Sequence, residues 1–536
     1  MTLAKETPMA IVRRTLRGSA LALLLAGAGA AQAVPAGFEA RVLEAMASRE
    51  VPGMAISVVK DGRIVLAQGY GVRRLGTGDA VDADTIFPTG STGKAVTAAA
   101  LAILVDEGRL GWDDPVIDHL PDFRMFDAWV TREMTVRDLL VHRSGLGLGA
   151  GDLLFIPRSS RSRAEIVQAL RHIRPATSFR SAYAYDNILY IVAGEVVAAA
   201  SGQSWESFVR ERIFAPAGMA TAVSHEDARF ASPNRAHPHA RLDARLRGLG
   251  PQQRLGEREG LGQVGAPAGG LSWSAKDFAR WMQLQLALGA VPDGEGRRLW
   301  SEATAREMWT PQVPIAIRAY PAPIEAITPQ FSGYGLGWNV QDYRGVRVVQ
   351  HGGAVFGVLA FVVLVPEHNL GIALQINSED VEVLRGLGYE LLDHYLGFGP
   401  RDWVAAFSQW NRARLEGGMA LLATGARPAR TASAPSLPRA AYAGDYADAW
   451  YGKIAIREEG RRLRLDFTRS PGMVGTLSHW QYDTFRVHWD DAAIEPAHIS
   501  FALDAAGKVE RATMKAVSPL ADFSYNYHDL LLRPVR

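Results

Sequence analysis

Apolar and polar positions along the chain change texture several times. In "VPGMAISVVKDGRIVLAQGYG", two apolar runs flank Asp61–Gly62. An Asp-Gly pair in that setting marks a tight turn, so the pattern predicts two antiparallel strands. From Lys94 to Leu104 the chain is Ala-rich and almost wholly apolar, which predicts a helix buried all round. Helical patterns recur in "TVRDLLVHRSG" and "NILYIVAGEVVAAASG", each closed by Gly, a usual helix stop. In "LSWSAKDFARWMQLQL", Ser274 stands three residues before Asp277, the spacing of a capping box with Asp in place of Glu or Gln.

The segment Phe230–Gly265 is polar and rich in Gly, Arg, Pro and His, and is expected to be a long loop between helices. Beyond it, "GYGLGWNV", "VRVVQHGGA" and "GVLAFVVLVPEHNLGIALQIN" read as strands, the last two apolar runs parted by Pro366–Asn369. Strands therefore open and close this region with helices between them. That is an α+β pattern, an antiparallel sheet in which the two ends of the domain meet. After Trp410 the texture shifts to an Ala/Pro/Arg/Ser-rich linker, placed at 411–440 together with the end of a helix. Residues 441–536 alternate apolar and polar around turns such as Glu459–Gly460 and predict a small all-β domain. No internal repeat is visible.

A chain of 536 residues exceeds one ordinary domain, in keeping with this division. Its formal net charge of +2 comes from dispersed residues rather than a basic tract, which argues against a nucleic-acid partner. The absence of Cys excludes disulfides, thiolate nucleophiles and thiolate zinc sites. At the start, Arg13, Arg14 and Arg17 precede the short apolar run "ALALLLAGAGA" and the small-residue motif "AQA" at Ala31–Ala33. This pattern predicts a signal peptide over 1–33, a main domain over 34–410, and a periplasmic or secreted protein with no stable membrane insertion once the leader is removed.

The chemistry turns on "TGSTGKAVTAAALAIL". A phosphate loop needs Gly where Pro88 stands and Ser or Thr where Ala95 stands, so that reading fails twice. A lipase-type elbow is met by Gly93 but not by Thr89. The remaining pattern is Ser-x-x-Lys. If Ser91 opens the helix, Lys94 lies one turn along on the same face, and burial would depress its pKa towards that of a useful base. The plain alternative is a helix cap beside a snorkelling lysine.

Three separated motifs resemble the serine beta-lactamases and penicillin-binding proteins, closest to the class C-like branch that includes D-aminopeptidases, DD-carboxypeptidases and esterases. They are Ser91-Thr92-Gly93-Lys94, Tyr185-Asp186-Asn187 and His351-Gly352-Gly353, in the family's order. "LLVHRSGLG", "APAGGLSWS" and "GYGLGW" agree, and the likeness covers roughly Phe38 to Tyr395. Residues from Tyr442 to Leu532 resemble a domain of unknown function that follows many such hydrolases.

The resemblance implies roles. Ser91 is the nucleophile of an acyl-enzyme, Lys94 and Tyr185 share the work of the base, and Asn187 hydrogen-bonds Lys94 and a substrate amide. The backbone N–H groups of Ser91 and Ala354 form the oxyanion hole, while Gly352 and Gly353 admit the substrate backbone. Tyr185 is preferred over Tyr183 for its spacing to Asn187. His351 stands where beta-lactamases commonly carry Lys, which points away from efficient lactam hydrolysis. The expected substrates are small peptides, including D-residue, cell-wall or linear nonribosomal peptides such as linearised microcystin. Carboxylic esters, weak lactam turnover and a catalytically silent binding module are the alternatives. No cofactor or metal is implied. His237 and His239 are assigned to a solvated loop, His142 to a helix end, and Trp450, Tyr451, Trp480 and Trp489 to core packing rather than sugar stacking.

Overall fold

The computed structural model describes residues 33–243, 245–257, 260–293, 296–425 and 433–535. The leader, except for Ala33, and part of the linker lie outside these residues.

Helix α1 (Phe38–Ser48) leads into β1 (Gly53–Lys60) and β2 (Arg63–Gly71), joined by Asp61 at φ 52° and Gly62 at φ 75°. This is the turn expected from the Asp-Gly pair. The other strands of the main sheet come late in the chain. They are β3 (Val313–Pro314), β4 (Ser332–Tyr334), β5 (Asn339–Tyr343), β6 (Val346–Val355), β7 (Val358–Val365) and β8 (Leu370–Ile376). The sheet order is β2-β1-β8-β7-β6-β5-β4-β3, with Met54 opposite Ile376 and Lys60 opposite Leu370. The two ends of the domain thus meet in one antiparallel sheet.

Strand β7 is buried on both faces, as its unbroken apolar run requires. Phe361, Val363 and Val365 pack with α1 and with α5 (Val381–Leu396), whereas Val362 and Leu364 face the helical side. There α2 (Lys94–Asp106) runs through the core, buried from Lys94 to Leu104, against α3 (Ile188–Ser201). Helix α4 (Ala275–Leu286) covers β1 and β8. A two-residue ladder, Phe87 opposite Trp273 and Pro88 opposite Ser272, ties the entry to α2 to the segment before α4.

Several sequence expectations change. "TVRDLLVHRSG" forms one 3-10 turn, Arg137–Leu139, and then bends at His142, whose φ of 60° no right-handed helix accepts. At the start of the turn Thr135 and Asp138 cap each other, Thr135 N donating to the Asp138 carboxylate and Asp138 N to the Thr135 hydroxyl. The same buried carboxylate accepts from Arg143 and Arg180, tying this turn to the segment that leads to Tyr185 and Asn187. The capping box before α4 is half formed: Ser274 accepts from Asp277 N, but the Asp277 carboxylate is taken by Thr221. The loop Phe230–Gly265 contains a small ribbon pairing His239–Arg241 with Gln252–Arg254. Helix α6 (Trp403–Gly425) extends past Trp410 into the span 411–440, where a helix end was placed together with the linker.

Eight antiparallel strands between Gly444 and Pro534 close into a barrel, the last pairing with the first at Tyr446 and Pro534. Ile454, Leu465, Val487, Ile499 and Phe501 are among the buried side chains that fill it. Trp450, Tyr451 and Trp489 are buried in this core, while Trp480 lies partly exposed against His498. The barrel docks on the hydrolase domain. Ser160 N donates to Arg469 O at 2.8 Å, and the Arg161 guanidinium lies 4.6 Å from the Tyr451 ring centre.

Asp138 generates a stability prediction. Its two arginines hold its carboxyl below the ordinary value against the effect of burial. A depressed folded-state pKa contributes stability that is present above the unfolded pKa and lost as pH falls through the folded one. Asp138→Ala is expected to lower unfolding free energy by about 3 kcal/mol at neutral pH, with the deficit shrinking in acid, as read by urea denaturation.

Candidate active site

Ser91 lies in the 3-10 turn Gly90–Gly93, and Lys94 is the first residue of α2. The Ser-x-x-Lys spacing therefore places both side chains on one face, as the sequence predicts. Lys94 is fully buried, and three oxygens surround its Nζ. Nζ donates to Asn187 Oδ1 at 2.6 Å and to Ala268 O at 2.8 Å, and it lies 3.1 Å from Ser91 Oγ. The amide and carbonyl oxygens can only accept, so they occupy two N–H bonds. The third tetrahedral position faces the serine. A neutral amine presents its lone pair there, directly to the Ser91 hydroxyl. Burial lowers the Lys94 pKa to about 7, opposed by the charges of Asp152 and Asp186.

Tyr185 lines the same cleft. Its hydroxyl is enclosed and makes no hydrogen bond of good geometry, and Lys94 Nζ lies 4.9 Å from its ring centre. Burial pushes the phenol well above its ordinary value, with the Ser91 hydroxyl acting in the opposite sense. Of the two groups expected to share the base's work, Lys94 is the one that loses its proton near neutrality. Tyr183 instead packs edge-on against His142, and its ring tilts against Tyr334. His142 is no helix end. It is buried and stacks 4.2 Å from the Tyr185 ring, and its Nδ1 accepts from Asp186 N.

His351 sits on β6 with both ring nitrogens engaged. Nδ1 donates to Gly352 O at 2.6 Å, and Nε2 accepts from the Tyr334 hydroxyl at 2.8 Å. Burial and the Lys94 charge lower its pKa to about 3, so the ring is neutral. Both nitrogens are thereby occupied by groups of the protein itself. Unmatched positive charge comes from elsewhere. Arg385 of α5 lines the cleft, stacks 4.1 Å from the Phe361 ring centre, and has no carboxylate partner among the described residues. A Cβ at Gly352 would stand 3.0 Å from its Nη2.

Two glycines allow β6 to approach the serine turn. A Cβ on Gly353 would lie 2.1 Å from Thr89 O, and one on Gly90 would lie 2.5 Å from Ala354 N. Gly90 also has φ 51°, which a side chain would strain. The Gly353–Ala354 and Gly90–Ser91 peptides are thereby laid side by side, bringing together the backbone segments expected to supply the oxyanion hole.

The cleft has a volume of about 580 Å³. Arg241, Arg247 and Leu261 from the Phe230–Gly265 segment line it, and so do Leu520, Phe523 and Tyr525 of the barrel. Phe523 meets the Tyr185 ring edge-on at 5.8 Å, and Tyr525 stacks on Phe356. Sequence reasoning found no chemistry for the barrel, and it also missed Tyr334, Asp152 and Arg385. Tyr334 lies inside the quoted phrase "GYGLGW", the one signal available; the others are single polar residues in unmarked segments. His239 is buried rather than solvated. Its Nδ1 donates to Asn377 O and its Nε2 accepts from Leu75 N, while His237 pairs with Glu257. Among the described residues no cluster of three or more metal-ligating side chains occurs.

A serine beside a desolvated lysine, under a glycine-lined strand, is an arrangement that serine hydrolases use. This chain belongs to the beta-lactamase family, whose model matches residues 38–395, within the serine beta-lactamase and penicillin-binding-protein superfamily. A domain of unknown function (DUF3471) matches residues 428–534. The chain is 31% identical over 435 residues to the unguisins hydrolase ungD' of Aspergillus campestris, covering 77% of this chain and 76% of that one. It is 31% identical over 331 residues to penicillin-binding protein 4 of Amycolatopsis lactamdurans, covering 61% and 81%. The octameric penicillin-binding protein homologue from Pyrococcus abyssi has the same fold, with a TM-score of 0.57, 21% identity and coverage of 89% and 97%.

If Lys94 takes the Ser91 proton, which only its neutral amine can do, fluorophosphonate labelling of Ser91 is expected to accelerate as pH rises through about 7, the value to which burial lowers Lys94. Lys94→Met is expected to slow labelling by about 10³-fold or more and to abolish that titration. Labelling rates across the neutral range check both.

Proposed function

We propose that the protein is an exported serine hydrolase that cleaves amide bonds of small peptides, including peptides containing D-residues, through an acyl-enzyme on Ser91. The observation that carries the reading is the Lys94 amine, whose Asn187 and Ala268 contacts leave its third position on Ser91 Oγ. In the reaction, Ser91 Oγ attacks the amide carbon as its proton passes to Lys94 Nζ. The oxyanion forms against the backbone N–H groups of Ser91 and Ala354. Collapse breaks the C–N bond, and the leaving amine takes the proton from Lys94, with the neutral Tyr185 hydroxyl beside the same path. Water then releases the acyl group by the reverse proton transfer.

Substrate class is argued from the cleft. Its volume suits a short peptide or drug-sized molecule. Relatives named as unguisins hydrolases of two Aspergillus species and as a penicillin-binding protein support a hydrolase reading. The neutral His351 leaves Arg385 to meet a substrate carboxylate, which favours peptides with a free C-terminal acid, as cell-wall and linearised nonribosomal peptides have. The apolar run and small-residue motif at the start of the chain support export to the periplasm or beyond.

A panel of L- and D-terminal peptides, their amides and nitrophenyl esters tests the reading. Peptide turnover that falls by more than about 10³-fold in Ser91→Ala is expected. Turnover of esters alone would instead assign the same nucleophile to a carboxylesterase. Arg385→Gln is expected to raise KM about tenfold for free-acid peptides and to leave their C-terminal amides unchanged.

A further inference from the structure

The barrel supplies more than a wall of the cleft. Asp152, in the 3-10 turn Asp152–Leu154, is fully buried. Its Oδ2 accepts from Asn187 Nδ2 at 2.8 Å and from the barrel's Ser524 Oγ at 2.8 Å, and its Oδ1 has no partner among the described residues. When ionised, the carboxylate has no proton to give, and it then faces only the NH₂ end of the Asn187 amide. The carbonyl end must then face Lys94, where it stands 2.6 Å from Nζ. Donation therefore runs one way along the chain. Ser524 and Asn187 both give to Asp152, and Lys94 gives to Asn187. An inverted amide would aim N–H groups at the amine and remove one of the two acceptors that turn its third position to Ser91.

Charge follows the same line. Burial raises Asp152 to about 7, opposed first by the Asn187 and Ser524 hydrogen bonds and then by the Lys94 charge. Its negative charge in turn helps Lys94 keep a proton. The other ionisable groups facing the pair are Asp186, which also favours the ammonium, and Asp522 of the barrel, which raises Asp152. The Tyr185 phenol beside them stays neutral, as do His142 and His351, all because of burial. Ser524 and Asp152 are separated by 372 positions in sequence, yet the hydroxyl that completes the chain is itself buried.

We propose that Asp152 and Ser524 are positioning residues of the acylation site, through which the C-terminal barrel fixes the Asn187 amide and governs how readily Lys94 gives up its proton. The proposal rests on Ser91 and Lys94 acting as nucleophile and base.

The test measures the rate of fluorophosphonate labelling at Ser91 against pH, with mass mapping of the label. It uses the full chain as native protein and as Ser524→Ala, Ser524→Thr and Asp152→Asn, each with its thermal midpoint. Ser524→Ala removes a hydrogen bond from the carboxylate, so Asp152 takes up its proton at higher pH and stops holding that of Lys94. Asp152→Asn removes the charge outright. The acid limb is expected to move to lower pH in both, further in Asp152→Asn, and to stay near native in Ser524→Thr, which keeps a hydroxyl. The plateau is expected to fall about tenfold in Asp152→Asn, whose own amide lets Asn187 turn over. Variants that melt earlier but keep the native limb, or whose limb moves to higher pH, overturn the proposal while leaving Ser91 as nucleophile. Absence of label on Ser91 in the native protein overturns both readings.

Discussion

One enclosed amine sets the terms for everything around it. A lysine wholly removed from water is costly as a cation, and here the cost is offset by oxygens rather than by a direct ion pair. That choice explains the apolar character of α2, which screens Nζ from solvent on the helix side. It also explains the neutrality of the groups beside it. His351 is held uncharged partly by the nearby ammonium, and Tyr185 is too deeply enclosed to ionise. Positive charge is displaced to Arg385, at the cleft wall, where it does not compete with the amine for the serine.

The scaffold delivers these groups from distant parts of the chain by rigid means. The short ladder at Phe87 and Trp273 fixes the entry to α2 against the segment holding Ala268. The β6–β7 ladder carries Gly352 to Ala354 across the mouth, with Gly353 opposite Ala360. Asp138 folds the turn behind Tyr185 and clamps the start of the Tyr185–Asn187 segment through Arg180. Each device is a backbone ladder or a buried polar cluster, so the reacting atoms are held without relying on a flexible loop.

What the sequence made legible follows from the range of the signal. The hairpin at Asp61–Gly62, the buried helix after Lys94 and the strand His351–Ala354 are local patterns, and they appear where expected. Ser91 and Lys94 meet because helical spacing alone brings them together. The "TVRDLLVHRSG" helix stops after one turn because the backbone passes into a left-handed conformation at His142, whose ring is placed by tertiary contacts that periodicity does not register. Asp152, Ser524 and Arg385 were invisible for a different reason. Their meaning lies in partners brought close only by the tertiary fold, and nothing in their neighbours marks them. His142 was misjudged as a helix end because its place is set by four aromatic rings, Tyr183, Tyr185 and Tyr190 from one segment and Tyr334 from another, that only the tertiary fold brings to it.

The hydrogen bond between Ser524 and Asp152 bears on how such proteins can be reshuffled. A gene joint near the linker could exchange one barrel for another. The incoming barrel would also have to carry a hydroxyl at one point of one loop, or the recipient would be left with a buried acid that has lost a partner. Swaps between relatives that share this pair would keep the contact between the domains, and swaps outside that circle would lose it.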